Sequence, residues 1–147
     1  MKSIELFAGA GGLALATANA KFHHKAVLEW NSNACSTLRR NQADGLKQLS
    51  GASIVEGDIS DFDFRRFAGE IDLVSGGPPC QPFSIGGKHV GMDDRRNMFP
   101  HAIRAAREIA PKAFLFENVK GLLRESISNY YQYIIHQLGY PEHRMSG

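Results

Sequence analysis

Cys80 stands in the run Gly76-Gly77-Pro78-Pro79-Cys80-Gln81-Pro82-Phe83-Ser84, a loop too rich in proline to become a helix. The run follows Ile71-Asp72-Leu73-Val74-Ser75, an apolar stretch that reads as a short buried strand ended by glycine and proline. A thiol is thus delivered at the carboxyl end of a strand, where open α/β sheets place ligands and chemistry. Taken alone, a free cysteine in a stiff turn is more often an inert, buried side chain. Its neighbours decide between the two readings.

Three further positions carry ligand-type residues at strand ends. The first strand runs into Glu5-Leu6-Phe7-Ala8-Gly9-Ala10-Gly11-Gly12, whose glycines allow a sharp turn and close approach of a ligand at a helix start. Glu29 closes the second strand, about 20 residues beyond the glycines, where an acid can accept from ribose hydroxyls. Trp30 follows at once and offers a flat face to an adenine ring. Asp58, in Gly57-Asp58-Ile59, closes the third strand and could accept from an adenine amino group. Each has a structural alternative: Glu29 as an exposed strand end, Trp30 as a core anchor, Asp58 as a turn cap. Ligand-type features at three consecutive strand ends, the glycine turn included, favour a ligand. The spacing Gly-x-Gly-Gly is not that of a dinucleotide site, so an adenosine without pyrophosphate fits better. S-adenosylmethionine is therefore favoured over NAD.

The elements that must hold these residues alternate. Segments 2–6, 26–29, 53–55, 71–74 and 114–116 read as strands, and 12–20, 33–40, 97–109 and 127–138 as helices. That order predicts an α/β fold with a parallel, doubly wound sheet and right-handed crossovers. Residues 86–96, polar and glycine-bearing, read as an irregular loop, of a kind usually functional or disordered. The 147 residues, 43% hydrophobic and 22% charged, suit one globular domain. A net charge of +2 permits nucleic-acid contact without demanding it. No apolar stretch approaches the ~20 residues of a membrane span, and a cytoplasmic location is expected. Two cysteines, at 35 and 80, without paired Cys/His spacing, argue against a disulfide framework or a metal site. Cys35 reads as buried filler, and His23, His24 and His136 as surface or helix residues.

Taken together, these motifs resemble the cytosine-5 DNA methyltransferase family. The glycine turn (which opens on Glu5 where the family usually has Asp), Glu29-Trp30, Gly57-Asp58-Ile59, the Cys80 loop and Glu117-Asn118-Val119 follow the family's order between positions 4 and 123. The resemblance implies a Rossmann-like S-adenosylmethionine-dependent methyltransferase fold, here incomplete at about five strands. It implies cofactor contacts from Phe7, Ala8, Gly9, Gly11, Gly12, Glu29, Trp30, Asp58, Ile59, Pro78 and Met98. Cys80 is then the nucleophile that adds to cytosine C6, and Glu117 the partner of N3 and the exocyclic amine. At a pKa near 8.5 only about 3% of a thiol is ionised at pH 7, so the site must activate it. The base must be flipped out of the duplex. Pro79, Gln81, Ser84, Lys88, Arg96 and Asn118 are the implied substrate contacts, with Ser84, Lys88 and Arg96 facing phosphates.

The match has gaps. Arg96-Asn97-Met98-Phe99 is one residue short of the family's usual Arg-Asn/Gly-x-Leu-Phe, which leaves Met98 as the chosen cofactor contact. The family's arginine-containing motif, target-recognition domain, late helical motif and last two strands have no counterpart in the 147 residues. Residues 1–147 are therefore expected to be a partial cofactor-binding catalytic domain, inactive alone. Its expected partners are double-stranded DNA and the missing C-terminal half or a complementary subunit, in the bacterial cytoplasm at the nucleoid. Segment 114–116 is expected to be an unpaired sheet edge. A non-catalytic assembly subunit and an RNA cytosine-5 methyltransferase are the alternative readings.

Overall fold

The computed structural model describes residues 1–79 and 97–140. Five strands, β1 (Lys2–Leu6), β2 (His23–Glu29), β3 (Ser53–Glu56), β4 (Leu73–Gly76) and β5 (Ala113–Phe116), form one parallel sheet in the order β3-β2-β1-β4-β5. The chain steps outward from β1 to β3 and then returns to lay β4 on the other side of β1. That reversal opens a crevice at the carboxyl ends of β1 and β4.

Strand alternation divides the core between two faces. Ile4 and Leu6 are fully buried with Leu28, Val74 and the α3 (Phe99–Ile109) residues Ala105 and Ile109. Val27 packs instead with Ala14 of α1 (Gly12–Asn19) and Leu38 of α2 (Ser32–Ala43). On the first face α3 also packs against α4 (Ser128–Gly139), through Ile103, Ala106, Tyr130 and Ile134. The doubly wound α/β architecture expected from the sequence is the one observed.

Boundaries differ where packing overrides local signals. β4 starts later than expected and takes in Gly76, which reads as a terminator in the sequence. Gly76 belongs in the strand because a Cβ there would stand 2.4 Å from the Leu6 carbonyl oxygen. Only glycine lets β4 run so close to β1. α2 begins at Ser32, capped by Asn31, whose side chain accepts from Ala34 N–H (3.1 Å). Between β3 and β4 the chain makes two short 3-10 turns, Ile59–Asp61 and Phe64–Phe67, anchored by the fully buried Phe64.

His24 is a correction. It was expected at the surface or in a helix, yet it lies on β2 and is 3% exposed. Its Nε2–H donates to Ala14 O (2.8 Å), since a carbonyl can only accept, which leaves Nδ1 to accept from the Ser3 hydroxyl (3.0 Å). Burial pushes its pKa down and keeps the ring neutral. Cys35 is buried as expected, with Sγ 3.3 Å from Glu29 O.

Among the described residues β5 pairs on one side only, with β4. Phe114 and Leu115 of β5 are 42% and 48% exposed. No described helix is long and apolar enough to cross a membrane.

Candidate functional site

The turn after β1 is built on three left-handed residues: Phe7 (φ 54°), Gly9 (φ 53°) and Gly11 (φ 97°). A phenylalanine in that region carries mild backbone strain, which tends to collect at binding sites. Hydrogen bonds from Ala8 N to Leu28 O (3.1 Å) and from Gly11 N to Ala8 O (2.9 Å) hold the turn. Gly11 caps α1, and a Cβ on it would meet Leu38 Cδ2 at 2.7 Å.

Glu29, at the end of β2, reaches back into this turn. Oε2 accepts from Gly9 N–H (2.7 Å), and Oε1 accepts from Trp30 N–H (3.0 Å) and Asn31 N–H (2.8 Å). The side chain is a buried clamp rather than an exposed strand end. On the usual count of about four acceptor sites per carboxylate, roughly one remains for a ligand. Trp30 is 77% exposed and so anchors no core. Asp58 Oδ1 accepts from Ser60 N–H (2.8 Å) and caps the first 3-10 turn; this bond holds its carboxyl below the usual range. The turn-cap reading of Asp58 therefore holds alongside its place in the cleft. Gly57 N–H donates to Glu29 O (3.0 Å), so the β3 exit is tied to the β2 exit.

These strand ends border a cleft of about 500 Å³, lined by Phe7, Gly9, Glu29, Trp30, Asp58, Ile59 and Met98. All seven were expected from the sequence. Leu28, Gly57 and Gly77 also line it and were not expected; plain apolar or glycine positions give no chemical signal. Pro79, expected as a substrate contact, stands in the same wall. Ala8, Gly11, Gly12 and Pro78, also expected at the cofactor, do not line the cleft. Ala8 is in the core beside Ala14 and Val27, Gly11 and Gly12 start α1, and Pro78 is buried.

On the β4–β5 side, the exposed Glu117 extends over the β4 exit. Its N–H donates to Gly76 O (3.0 Å), and a Cβ built on Gly77 would lie 3.2 Å from Glu117 Oε2. Asn118 Nδ2 donates to Pro78 O (2.7 Å) while its Oδ1 accepts from Val119 N–H (2.9 Å). The amide expected to meet substrate is thus engaged in fixing the approach to Cys80. Met98 N–H donates to Pro79 O (3.1 Å), so the chain leaves and re-enters the described structure at one point. Cys80, Gln81, Ser84, Lys88 and Arg96 lie outside the described residues.

The sheet order, the turn after β1 and the acids closing β2 and β3 define a Rossmann-like fold of the S-adenosylmethionine-dependent methyltransferase class. Within that class, residues 1–142 match the model for C-5 cytosine-specific DNA methylases, and the chain belongs to that family. It is 46% identical over 141 residues to the Type II methyltransferase M.NgoMIV of Neisseria gonorrhoeae, covering 94% of this chain and 43% of that protein. It is 43% identical over 145 residues to M.Eco47II of Escherichia coli, covering 93% of this chain and 32% of the relative. Among solved structures, a prophage-encoded Escherichia coli protein assigned to the DNA modification methyltransferases superposes with a TM-score of 0.72 at 31% identity, covering 95% of this chain and 38% of that one. The chain thus spans less than half the length of these relatives.

Proposed function

We propose that this chain supplies the cofactor-binding, nucleophile-bearing part of a Type II DNA cytosine-5 methyltransferase of a restriction–modification system. The carrying observation is one cleft lined by an adenosine-type residue set together with Gly77, which lies beside Glu117 Oε2, and Pro79, the residue before Cys80. The cleft volume lies within the ~300–1,000 Å³ usual for small-ligand sites. The residues present fit an adenosyl group. Glu29 would meet the ribose, Trp30 would offer its exposed face to the adenine and Asp58 would accept from the exocyclic amine, with Met98 also lining the cleft. S-adenosylmethionine bound there supplies the methyl group.

The chain's own residues prepare the base. Cys80 adds as the thiolate to C6 of a flipped cytosine in double-stranded DNA, and the electron pair of the C5–C6 bond moves toward C5 and N3. Glu117 engages the exocyclic amine and N3 of the base and stabilises the charge that develops there. Asn118 holds Pro78, two residues before the nucleophile, against the β5 exit. Once C5 is methylated it loses its proton, and the pair from that C–H bond expels the thiolate as the double bond returns.

The open side of β5 and its half-exposed Phe114 and Leu115 are completed by the remaining region of the enzyme, carried by a continuation of this chain or by a complementary subunit. Its place of work is the cytoplasm, at the nucleoid. The test is the complete protein with duplex DNA carrying 5-fluorocytosine, which traps the C6 adduct because fluorine cannot leave as a proton does. A covalent complex with the native protein and none with Cys80→Ala is expected. No adduct with the native protein, or an equal one with the variant, overturns the mechanism.

A further inference from the structure

Arg104, in the middle of α3, lines no part of the cleft but stands directly behind its Asp58–Ile59 wall. Its Nη2 donates to Ile59 O (2.6 Å) and more distantly to Ser60 O (3.4 Å), and its Nη1 donates to Phe62 O (3.1 Å). Glu108, one turn on, accepts from Nη1 (3.2 Å) and also from Phe64 N–H (3.3 Å). The guanidinium carbon lies 5.0 Å from the centre of the Phe64 ring. The turn it grips holds itself poorly. Its internal bonds, Asp61 N to Asp58 O and Phe62 N to Ile59 O, are 3.2 and 3.3 Å long, and a single 3-10 turn gains little by itself. The 2.6 Å contact to Arg104 is the tightest that these carbonyls make.

We propose that Arg104 is the positioning residue of the adenine wall: it fixes the turn that aims Asp58 and Ile59 and ties this wall to the helix that Met98 caps. One helix then positions two parts of the cleft lining, Asp58–Ile59 through Arg104 and Met98 as its own N-cap residue. Only a guanidinium reaches two carbonyls and a carboxylate at once; an ammonium is a single point of contact. The proposal rests on the reading of the cleft as an adenosine site.

The test uses the complete methyltransferase and two probes, S-adenosylhomocysteine and S-inosylhomocysteine, in which a carbonyl replaces the exocyclic amine that faces Asp58. Arg104→Met keeps the packing on Phe64 and removes the donors. It should weaken S-adenosylhomocysteine binding and raise the KM for S-adenosylmethionine about tenfold, as expected for lost charge-assisted hydrogen bonds. The kcat at saturating cofactor should stay within about twofold, and the preference for the adenosyl over the inosyl probe should fall at least about threefold. Arg104→Lys should recover part of both losses, and it carries the same readings if the methionine variant does not fold. A lowered Tm with the preference intact would reduce Arg104 to scaffold and overturn the proposal, as would a Kd unchanged within twofold. Asp58→Ala separates the two levels. If it leaves the preference unaltered, the adenine assignment itself fails and the role of Arg104 with it; if it abolishes the preference while Arg104→Met does not lower it, only the proposal for Arg104 fails.

Discussion

The two sides of the cleft are held in contrasting ways. On the β1–β3 side the ligand-type acids are already fixed by the protein: Glu29 by three backbone N–H groups, Asp58 by the turn it caps. On the β4–β5 side Glu117 is exposed, and the strand it follows is half bare. One cross-strand row makes the contrast plain. Val27, Glu5, Ser75 and Leu115 stand in register across β2, β1, β4 and β5. The first three are no more than 1% exposed, while Leu115 is 48% exposed. The β1–β3 side is self-sufficient, whereas on the other side β5 stays half bare.

The strongest way to break this comparison is to remove an anchor of the self-sufficient side. Phe64→Ala deletes a fully buried ring beneath the Asp58 turn and should cost about 3–5 kcal/mol in urea unfolding of the 147-residue chain. A cost below about 1.5 kcal/mol would mean that the turn is not anchored there.

Glu5 tests the seam between the two sides. Burial raises its pKa from 4.5 to about 7, opposed by the hydrogen bond from the Ser75 hydroxyl. The folded chain therefore holds this proton more tightly than the unfolded chain does. The carboxyl is harmless below about pH 4.5, and stability declines as pH rises to about 7, by roughly 3 kcal/mol in all. Urea midpoints at pH 5 and pH 8 should show this drop in the native chain and a flatter response in Glu5→Gln. An equal drop in both would assign the pH dependence to other groups.

Glu29→Gln sharpens the claim that the clamp precedes the ligand. An amide offers one acceptor oxygen and turns an NH2 toward backbone N–H groups, leaving at least one of three without a partner. A loss of about 2 kcal/mol in stability is expected, together with at least about tenfold weaker S-adenosylhomocysteine binding in the complete protein. Weaker binding with unchanged stability would show that the clamp is formed by the ligand. The smallest effect belongs to the other side. Leu115→Ser should change the stability of the 147-residue chain by no more than about 0.5 kcal/mol, but cost about 2 kcal/mol where the remaining region covers β5. Equal costs in the two settings would erase the difference between the sides.

Legibility in the sequence follows the same divide. Glu29, Trp30 and Asp58 could be read because each is a chemically distinctive residue closing an apolar strand, and a strand end fixes where its side chain can point. Glu117 and the nucleophilic role proposed for Cys80 came through the resemblance, which carries chemistry that pattern alone does not. Contacts across the fold were hidden. Arg104 reads as one charge on the solvated face of an amphipathic helix; its carbonyl partners lie 42 to 45 residues away. His24 reads as a surface histidine because nothing local shows that α1 will lie across β2 and bring Ala14 O to its ring. Gly76 looks like a strand terminator, since a glycine chosen for close backbone approach and one chosen for a turn are the same letter.

The hydrogen bond from Met98 to Pro79 has a practical meaning. The segment between Pro79 and Met98 starts and ends at one fixed point, while α3 packs on the sheet independently through Ala105 and Ile109 against Ile4 and Val74. The entropy of closing such a segment grows only logarithmically with its length, about 0.6 kcal/mol for a doubling. Counterparts of different length from related methyltransferases should therefore transplant between Pro79 and Met98 with the strands left in register, and the junction offers natural breakpoints for building chimeras that compare one family member's loop with another's on a common frame.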